Sequence, residues 1–211
     1  MPEPGYLSKS KIKCYRQCPF KYKGIYEDGL LISEKPKAFV RGIAIHAALD
    51  KLGKGTLIDI PEEYKKIVND VKEINRKLKS KIILTEEIIY DRERLISGII
   101  DRVDELEDGS LLLLDYKSGN EYQFETYRFE LALYSYLYEL KYKRRIKYIA
   151  IFFVEKNKLV YEELKEEDIE DALDEVDEVD EKIQLGEFKM KKGFWCSYCE
   201  MYTNGHCEGT G

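Results

Sequence analysis

Residues 94–117, RLISGIIDRVDELEDGSLLLLDYK, read as two apolar strands joined by a tight turn, and this stretch decides the fold. Glu107-Asp108-Gly109-Ser110 carries the turn signal, because Asp-Gly supplies the left-handed backbone a short hairpin loop demands. Loop length then sets which side chains meet. A two-residue turn centred on Asp108-Gly109 pairs Glu107 with Ser110 and places Asp101 opposite Tyr116, on the face away from Asp115 and Lys117. A three-residue loop with Gly109 left-handed pairs Leu106 with Ser110 instead. Asp101 then stands across from Asp115, and Lys117 shares their face because side chains repeat every second residue. The second register is the expected one.

That register gathers two carboxylates and an ammonium at the ends of neighbouring apolar strands. Such a group is costly to bury unless it is paired or binds a metal. A hydrolytic site fits: the carboxylates would hold a hard cation and Lys117 would steady an anion. The plainer alternative pairs Asp101 with Arg102 or Lys117 as an edge-strand ion pair, and a D…DxK pattern alone is weak.

Working outward, residues 41–52 (RGIAIHAALDKL) read as a helix apolar almost all round, expected to be buried, with His46 in its middle. A lone histidine there is more often a satisfied core residue than a ligand. Yet a neutral imidazole also suits a site beside two carboxylates. Residues 125–142 are helical by pattern, with Glu130 and Tyr134 four apart on one face. Pro61 opens a helix to Leu78 with Tyr64, Ile67, Val68, Val71, Ile74 and Leu78 on one stripe. Strands are expected near 82–90, 94–106, 110–117, 147–155 and 159–163. Much of the acid lies at 162–181, where Ile169, Leu173, Val176, Val179 and Ile183 keep the spacing of an amphipathic helix.

In order, GxxxH at 42–46, GxxD at 98–101, DxK at 115–117 and a polar-xxx-Tyr helix at 130–134 resemble the motifs of RecB-type nucleases of the PD-(D/E)XK superfamily. The resemblance implies an α/β fold, a restriction-endonuclease-like core with a mixed central sheet flanked by helices. It implies that His46, Asp101, Asp115 and the Tyr116 carbonyl hold Mg²⁺ or Mn²⁺. Lys117 would position or activate the attacking water, and Tyr134 would lie along the DNA path. The family's helix usually carries QxxxY, so Glu130 departs from the pattern: a carboxylate near phosphates repels them unless turned away or bound.

Five cysteines remain, at 14, 18, 196, 199 and 207. Cys196, Cys199 and Cys207 form C-x2-C-x7-C after Phe194-Trp195, and Cys18 precedes Pro19. Paired thiolates two residues apart wrap a single metal or cluster, and two more complete a four-sulfur shell. An odd count in a chain that shows no signal peptide argues against a secreted disulfide framework and for an intracellular, cytoplasmic setting. Spacing alone leaves a zinc knuckle open. The stretch from Leu7 to Pro19 resembles the iron–sulfur branch of RecB-like nucleases, which includes the CRISPR-associated "Cas four" exonucleases and the AddB nuclease domain. That resemblance implies a [4Fe–4S] cluster on Cys18, Cys196, Cys199 and Cys207, with Zn²⁺ the lesser alternative and Cys14 a spare. It covers about residues 7–207.

The chain has 211 residues, is 44% hydrophobic and contains no apolar run long enough to span a membrane. One nuclease domain over 1–211 is expected: a mainly helical part at 1–81, the nuclease core at 82–185 and the cluster segment at 186–211. The formal charge of −6 divides unevenly, +8 over residues 1–81 and −14 beyond. Lys9, Lys11, Lys13 and Arg16 interleave with Tyr15 and Phe20, a pattern suited to single-stranded DNA, although a charge run is usually only a solvated face. Lys9, Lys11, Arg16, Glu130 and Tyr134 are the DNA-binding candidates. The overall expectation is a metal-dependent exonuclease on single-stranded DNA or DNA ends. Two settings follow from the resemblance: CRISPR spacer acquisition beside integrase proteins, or viral or host recombination and repair beside recombination factors. An archaeal or virus-encoded source and a ring-forming homo-oligomer are open to this branch. The competing class is a non-catalytic DNA-binding or scaffold module with a structural zinc or iron–sulfur site.

Overall fold

A computed structural model describes residues 5–30, 37–56, 59–119 and 122–208, so the outer ends of the expected 1–211 span lie outside them. The chain begins with β1 (Leu7–Ser8), α1 (Lys9–Gln17), α2 (Pro19–Tyr22) and a π-helical turn at Lys23–Glu27. Two helices follow, α3 (Lys37–Gly53) and α4 (Glu62–Leu78). The strands β2 (Lys81–Asp91), β3 (Ile96–Glu105) and β4 (Leu111–Lys117) precede a 3-10 turn at Phe124–Tyr127 and α5 (Arg128–Tyr142). Then come β5 (Tyr148–Phe153), β6 (Lys158–Glu163), α6 (Glu166–Gln184), a 3-10 turn at Phe194–Tyr198 and α7 (Glu200–Thr203).

The β3–β4 hairpin takes the three-residue loop. Leu106 N–H donates to Ser110 O at 2.9 Å, Gly109 sits at φ +80°, and Arg102 pairs with Leu114. Continuing that register by one residue sets Asp101 across from Asp115. Gly109 is needed here because a side chain at positive φ is strained.

β2 runs antiparallel to β3 along its whole length and fills one edge of it. The other edge is shared: β1 pairs in parallel with Ile96–Ser97, and β4 pairs antiparallel with residues 102–105. Between them, the edge at 98–101 has no strand partner among the described residues, so the sheet forks at Asp101. Beyond the fork, β4 and β5 run parallel and β6 closes the sheet antiparallel to β5. The result is a mixed sheet flanked by helices, as the sequence led one to expect.

The two faces carry separate cores. Leu112, Leu114, Tyr116, Ala150 and Phe152 meet Ile45 and Leu49 of α3 and Ile67, Val68 and Val71 of α4. Leu111, Leu113, Ile149, Ile151 and Phe153 meet the Leu131, Tyr134 and Leu137 side of α5, with α6 and α1 packed outside. The α4 stripe is the predicted one, with Pro61 as the residue before the helix. α3 departs from expectation: Ile45 and Leu49 are buried, but Ile43 is 52% exposed, so this helix is amphipathic and not enclosed. Under α4, the buried Arg102 donates to Asp104 at 2.5–2.6 Å, to Asn75 Oδ1 at 2.7 Å and to the Tyr116 hydroxyl at 3.1 Å. Its partner is therefore Asp104, not Asp101.

Candidate active site

The site is assembled at the fork of the sheet by four elements. β3 supplies Asp101, β4 supplies Asp115 and Lys117, α3 supplies His46 and α5 supplies Glu130. Asp101 is nearly enclosed, and its Oδ2 accepts the Tyr116 N–H at 2.9 Å. Its Oδ1 faces His46 Nδ1 at 3.2 Å. Burial opposes a charge on His46, but Asp101, Glu86 and Asp115 outweigh it and push the imidazole up to about 10. His46 therefore stands as a cation among carboxylates.

Sequence reasoning missed Glu86. Its Oε1 lies 3.3 Å from His46 Nδ1, and among the described residues His46, Glu86 and Asp101 form a group able to hold a metal, with ligand atoms all within 4.8 Å. Glu86 lies in β2 with φ +44°, a left-handed residue inside a strand. Successive side chains of a regular strand point to opposite faces. Here Thr85 donates to Asp50 at 2.7 Å while Glu86 meets His46, so two adjacent residues both reach α3. No pattern in the sequence marks such a residue; only its partners reveal it.

On the other side of Asp101 lies a chain of alternating charge. Lys117 Nζ is 2.5 Å from Asp115 Oδ2 and also pairs with Glu130, and Lys9 of α1 donates to Glu130 at 2.9 Å. Burial works against both ammonium groups, but Glu130 and Asp115 hold each of them firmly charged. Asp115 Oδ2 is buried and makes no hydrogen bond, its contact with Lys117 being an ion pair of poor hydrogen-bond geometry. That oxygen keeps unused hydrogen-bonding capacity beside its one cationic neighbour.

Glu130 and Tyr134 share the α5 face as expected, but Tyr134 is only 3% exposed, beneath Lys9, whose Nζ is 5.3 Å from the ring centre. Gly98 permits this packing: a Cβ there would come within 2.7 Å of the Tyr134 ring and 2.8 Å of Leu137. Gly42 in turn lets α3 approach Ser118, whose Oγ would be 3.2 Å from an added Cβ. Two other residues of the expected basic path also have partners within the protein. Lys11 donates to Tyr6 O at 2.8 Å, and Arg16 pairs with Glu175 of α6 at 2.8 Å.

None of the five cysteines is in a disulfide. Cys18, Cys196, Cys199 and Cys207 line one small pocket, joined by Met190, Trp195 and Met201. Backbone N–H groups already point at two of the sulfurs: Lys191 to Cys18 at 3.5 Å and Gly193 to Cys196 at 3.4 Å. Cys207 Sγ lies 3.8 Å from Met190 Sδ. Cys14 is outside this lining and packs on the main core, where burial pushes its thiol up to about 11.

The sequence matches the profile of the PD-(D/E)XK nuclease superfamily over residues 6–82 and 65–203. Among solved structures, a Eubacterium rectale protein named "Putative exonuclease" superposes with a TM-score of 0.55 at 13% identity, covering 93% of this chain and 87% of its own. At that identity the likeness speaks for the fold alone. The structure of SSO0001 is a more distant neighbour, with a TM-score of 0.46, 12% identity and coverage of 96% and 86%. No curated protein matches. No helix among the described residues is long and apolar enough to cross a membrane.

Proposed function

The chain belongs to the PD-(D/E)XK nuclease superfamily, and from that premise we propose that it is a Mg²⁺- or Mn²⁺-dependent exonuclease acting on single-stranded DNA or DNA ends. His46, Asp101, Asp115 and the Tyr116 carbonyl would hold the ion, with Glu86 beside them. The observation that carries this reading is the group of His46, Glu86 and Asp101, whose ligand atoms all lie within 4.8 Å of one another, with the buried Asp115 on the neighbouring strand β4. Oxygen donors with one imidazole suit a hard divalent cation.

A bound divalent ion supplies Lewis-acid polarisation of a phosphate oxygen and a more acidic bound water. The rest belongs to the chain. Asp101 is oriented by the Tyr116 N–H, and His46 must give up its proton to serve as a ligand. Lys117 enters as an ammonium, so its part is to hold the water or a phosphate oxygen by charge and hydrogen bond rather than to remove a proton. Glu130 tethers Lys117 and Lys9, and the two ammonium groups offset its negative charge beside an incoming phosphate.

The second half of the proposal is a [4Fe–4S] cluster on Cys18, Cys196, Cys199 and Cys207, clasping the two ends of one nuclease domain. The shared pocket supports it. CRISPR spacer acquisition or recombination and repair, with the corresponding integrase or recombination proteins as partners, is the proposed setting. Anaerobically purified protein should carry iron and acid-labile sulfide and should digest a labelled single strand only when a divalent ion is added. Digestion in chelator defeats the metal mechanism; stoichiometric zinc without iron defeats the cluster.

A further inference from the structure

Two side-chain polar atoms among the described residues are buried without a hydrogen-bond partner, Asp115 Oδ2 and Trp195 Nε1. The first belongs to the proposed ion site. The second belongs to the pocket of the four cysteines, where Trp195 forms part of the wall. An indole N–H can only donate, so it needs an acceptor, and no protein atom accepts from it. Native proteins leave few such groups unmatched, and an absent ion or group is among the usual reasons.

The ring is held in place by close approach of the backbone. A Cβ built at Gly193 would lie 2.4 Å from Cη2 and Cζ2 of Trp195 and 2.6 Å from Cε2, the carbon bonded to Nε1. Gly193 has φ −171°, an extended backbone any residue adopts, so only the contact with the indole demands glycine. The same glycine donates its N–H to Cys196 Sγ at 3.4 Å. One residue thus fixes both a cysteine sulfur and the indole beside it.

We propose that Trp195 Nε1–H donates a hydrogen bond to a sulfur of the iron–sulfur cluster, thiolate or bridging sulfide, and raises the cluster's reduction potential; this rests on the cluster reading above. Reduction adds negative charge to the sulfurs, so a donor aimed at them favours the reduced form more than the oxidised one. The backbone donors on Cys18 and Cys196 act in the same sense, and Trp195 adds a side-chain donor that substitution can remove.

The chain contains one tryptophan, so replacing tryptophan with 3-benzothienylalanine during expression alters this protein at position 195 alone and exchanges the N–H for sulfur in a ring of the same shape. Holoprotein of each kind, with Trp195→Phe as a second variant lacking the donor, is titrated by electron paramagnetic resonance after assay of iron and sulfide. The expected result is equal cluster content with a shift of the potential to more negative values in both replacements. The reduced wild-type cluster should also show an exchangeable-proton coupling by electron–nuclear double resonance that the replacements lose. An intact cluster with unchanged potential and unchanged proton coupling overturns the hydrogen bond while leaving the cluster standing. A wild-type protein without iron and sulfide overturns the cluster reading and this inference with it, and the metal assay tells the two failures apart.

Discussion

His46 Nδ1 lies 3.2 Å from Asp101 Oδ1, an ion pair between the helix α3 and the fork of the sheet. Its strength makes the metal-free protein sensitive to pH. The folded value, about 10, exceeds the ordinary 6.5, so the stabilisation is complete below 6.5 and is lost as pH rises toward 10. The thermal midpoint in chelator should fall across that window, and a saturating divalent ion should flatten the fall because a ligating imidazole has already lost its proton. By the same linkage, Mn²⁺ should bind more tightly as pH rises. A midpoint in chelator that stays level from pH 6.5 to 10 contradicts the pairing.

Glu86 holds a left-handed backbone inside β2, a conformation costing about 1–2 kcal/mol for most residues and less for asparagine. Glu86→Asn relieves that backbone cost but removes a carboxylate partner of His46, so the thermal midpoint should shift little. If its carboxylate serves the ion, Mn²⁺ affinity measured by calorimetry should drop about 10- to 100-fold. Loss of stability with unchanged Mn²⁺ affinity would mean that Glu86 is only a structural partner of His46.

Glu130 ties Lys117 and Lys9 together while sitting where the resembled family has glutamine. Glu130→Gln removes one negative charge near the phosphate path and loosens both ammonium groups. Binding of a fluorescent single strand in chelator should tighten, with a steeper dependence on salt as more cations become available to phosphates. Weaker binding would show that Glu130 organises the lysines for DNA rather than masking them.

Several of these features could be read from the residues and others could not. The hairpin was legible because Asp108-Gly109 marks the turn, and of the two loop lengths it allows the expected three-residue one is found, with Leu106 N–H on Ser110 O and Arg102 opposite Leu114. The α4 stripe was legible for another reason, a strong period over many residues. β1 was not: two residues beside Ile96 carry no period, and their pairing exists only in the folded chain. Glu86 was hidden because its reach depends on one backbone angle. The basic N-terminal run was visible, but its partners were not: Lys9 turns inward to Glu130 and Arg16 pairs at the surface with Glu175, so part of the charge asymmetry between the two stretches is offset within the molecule.

Gly98 allows the Tyr134 and Leu137 side chains of α5 to lie against β3 at the start of the GIID stretch. Gly98→Ala forces an overlap of about a methyl group into rigid packing, and chemical denaturation should report a loss of about 1–3 kcal/mol. Because α5 carries Glu130, the shift should reach Lys117 and slow cleavage as well. A variant as stable as the parent would show that α5 can move aside without cost.

The most direct test of the site is a time course of single-strand digestion in Mn²⁺ by the parent, Asp115→Ala and Lys117→Ala, each confirmed as folded by circular dichroism. The parent should digest the strand only with the ion present, and both variants should be slower by about 10²-fold or more. Substantial digestion by either variant, or by the parent in chelator, would contradict a reaction centred on Asp115 and Lys117.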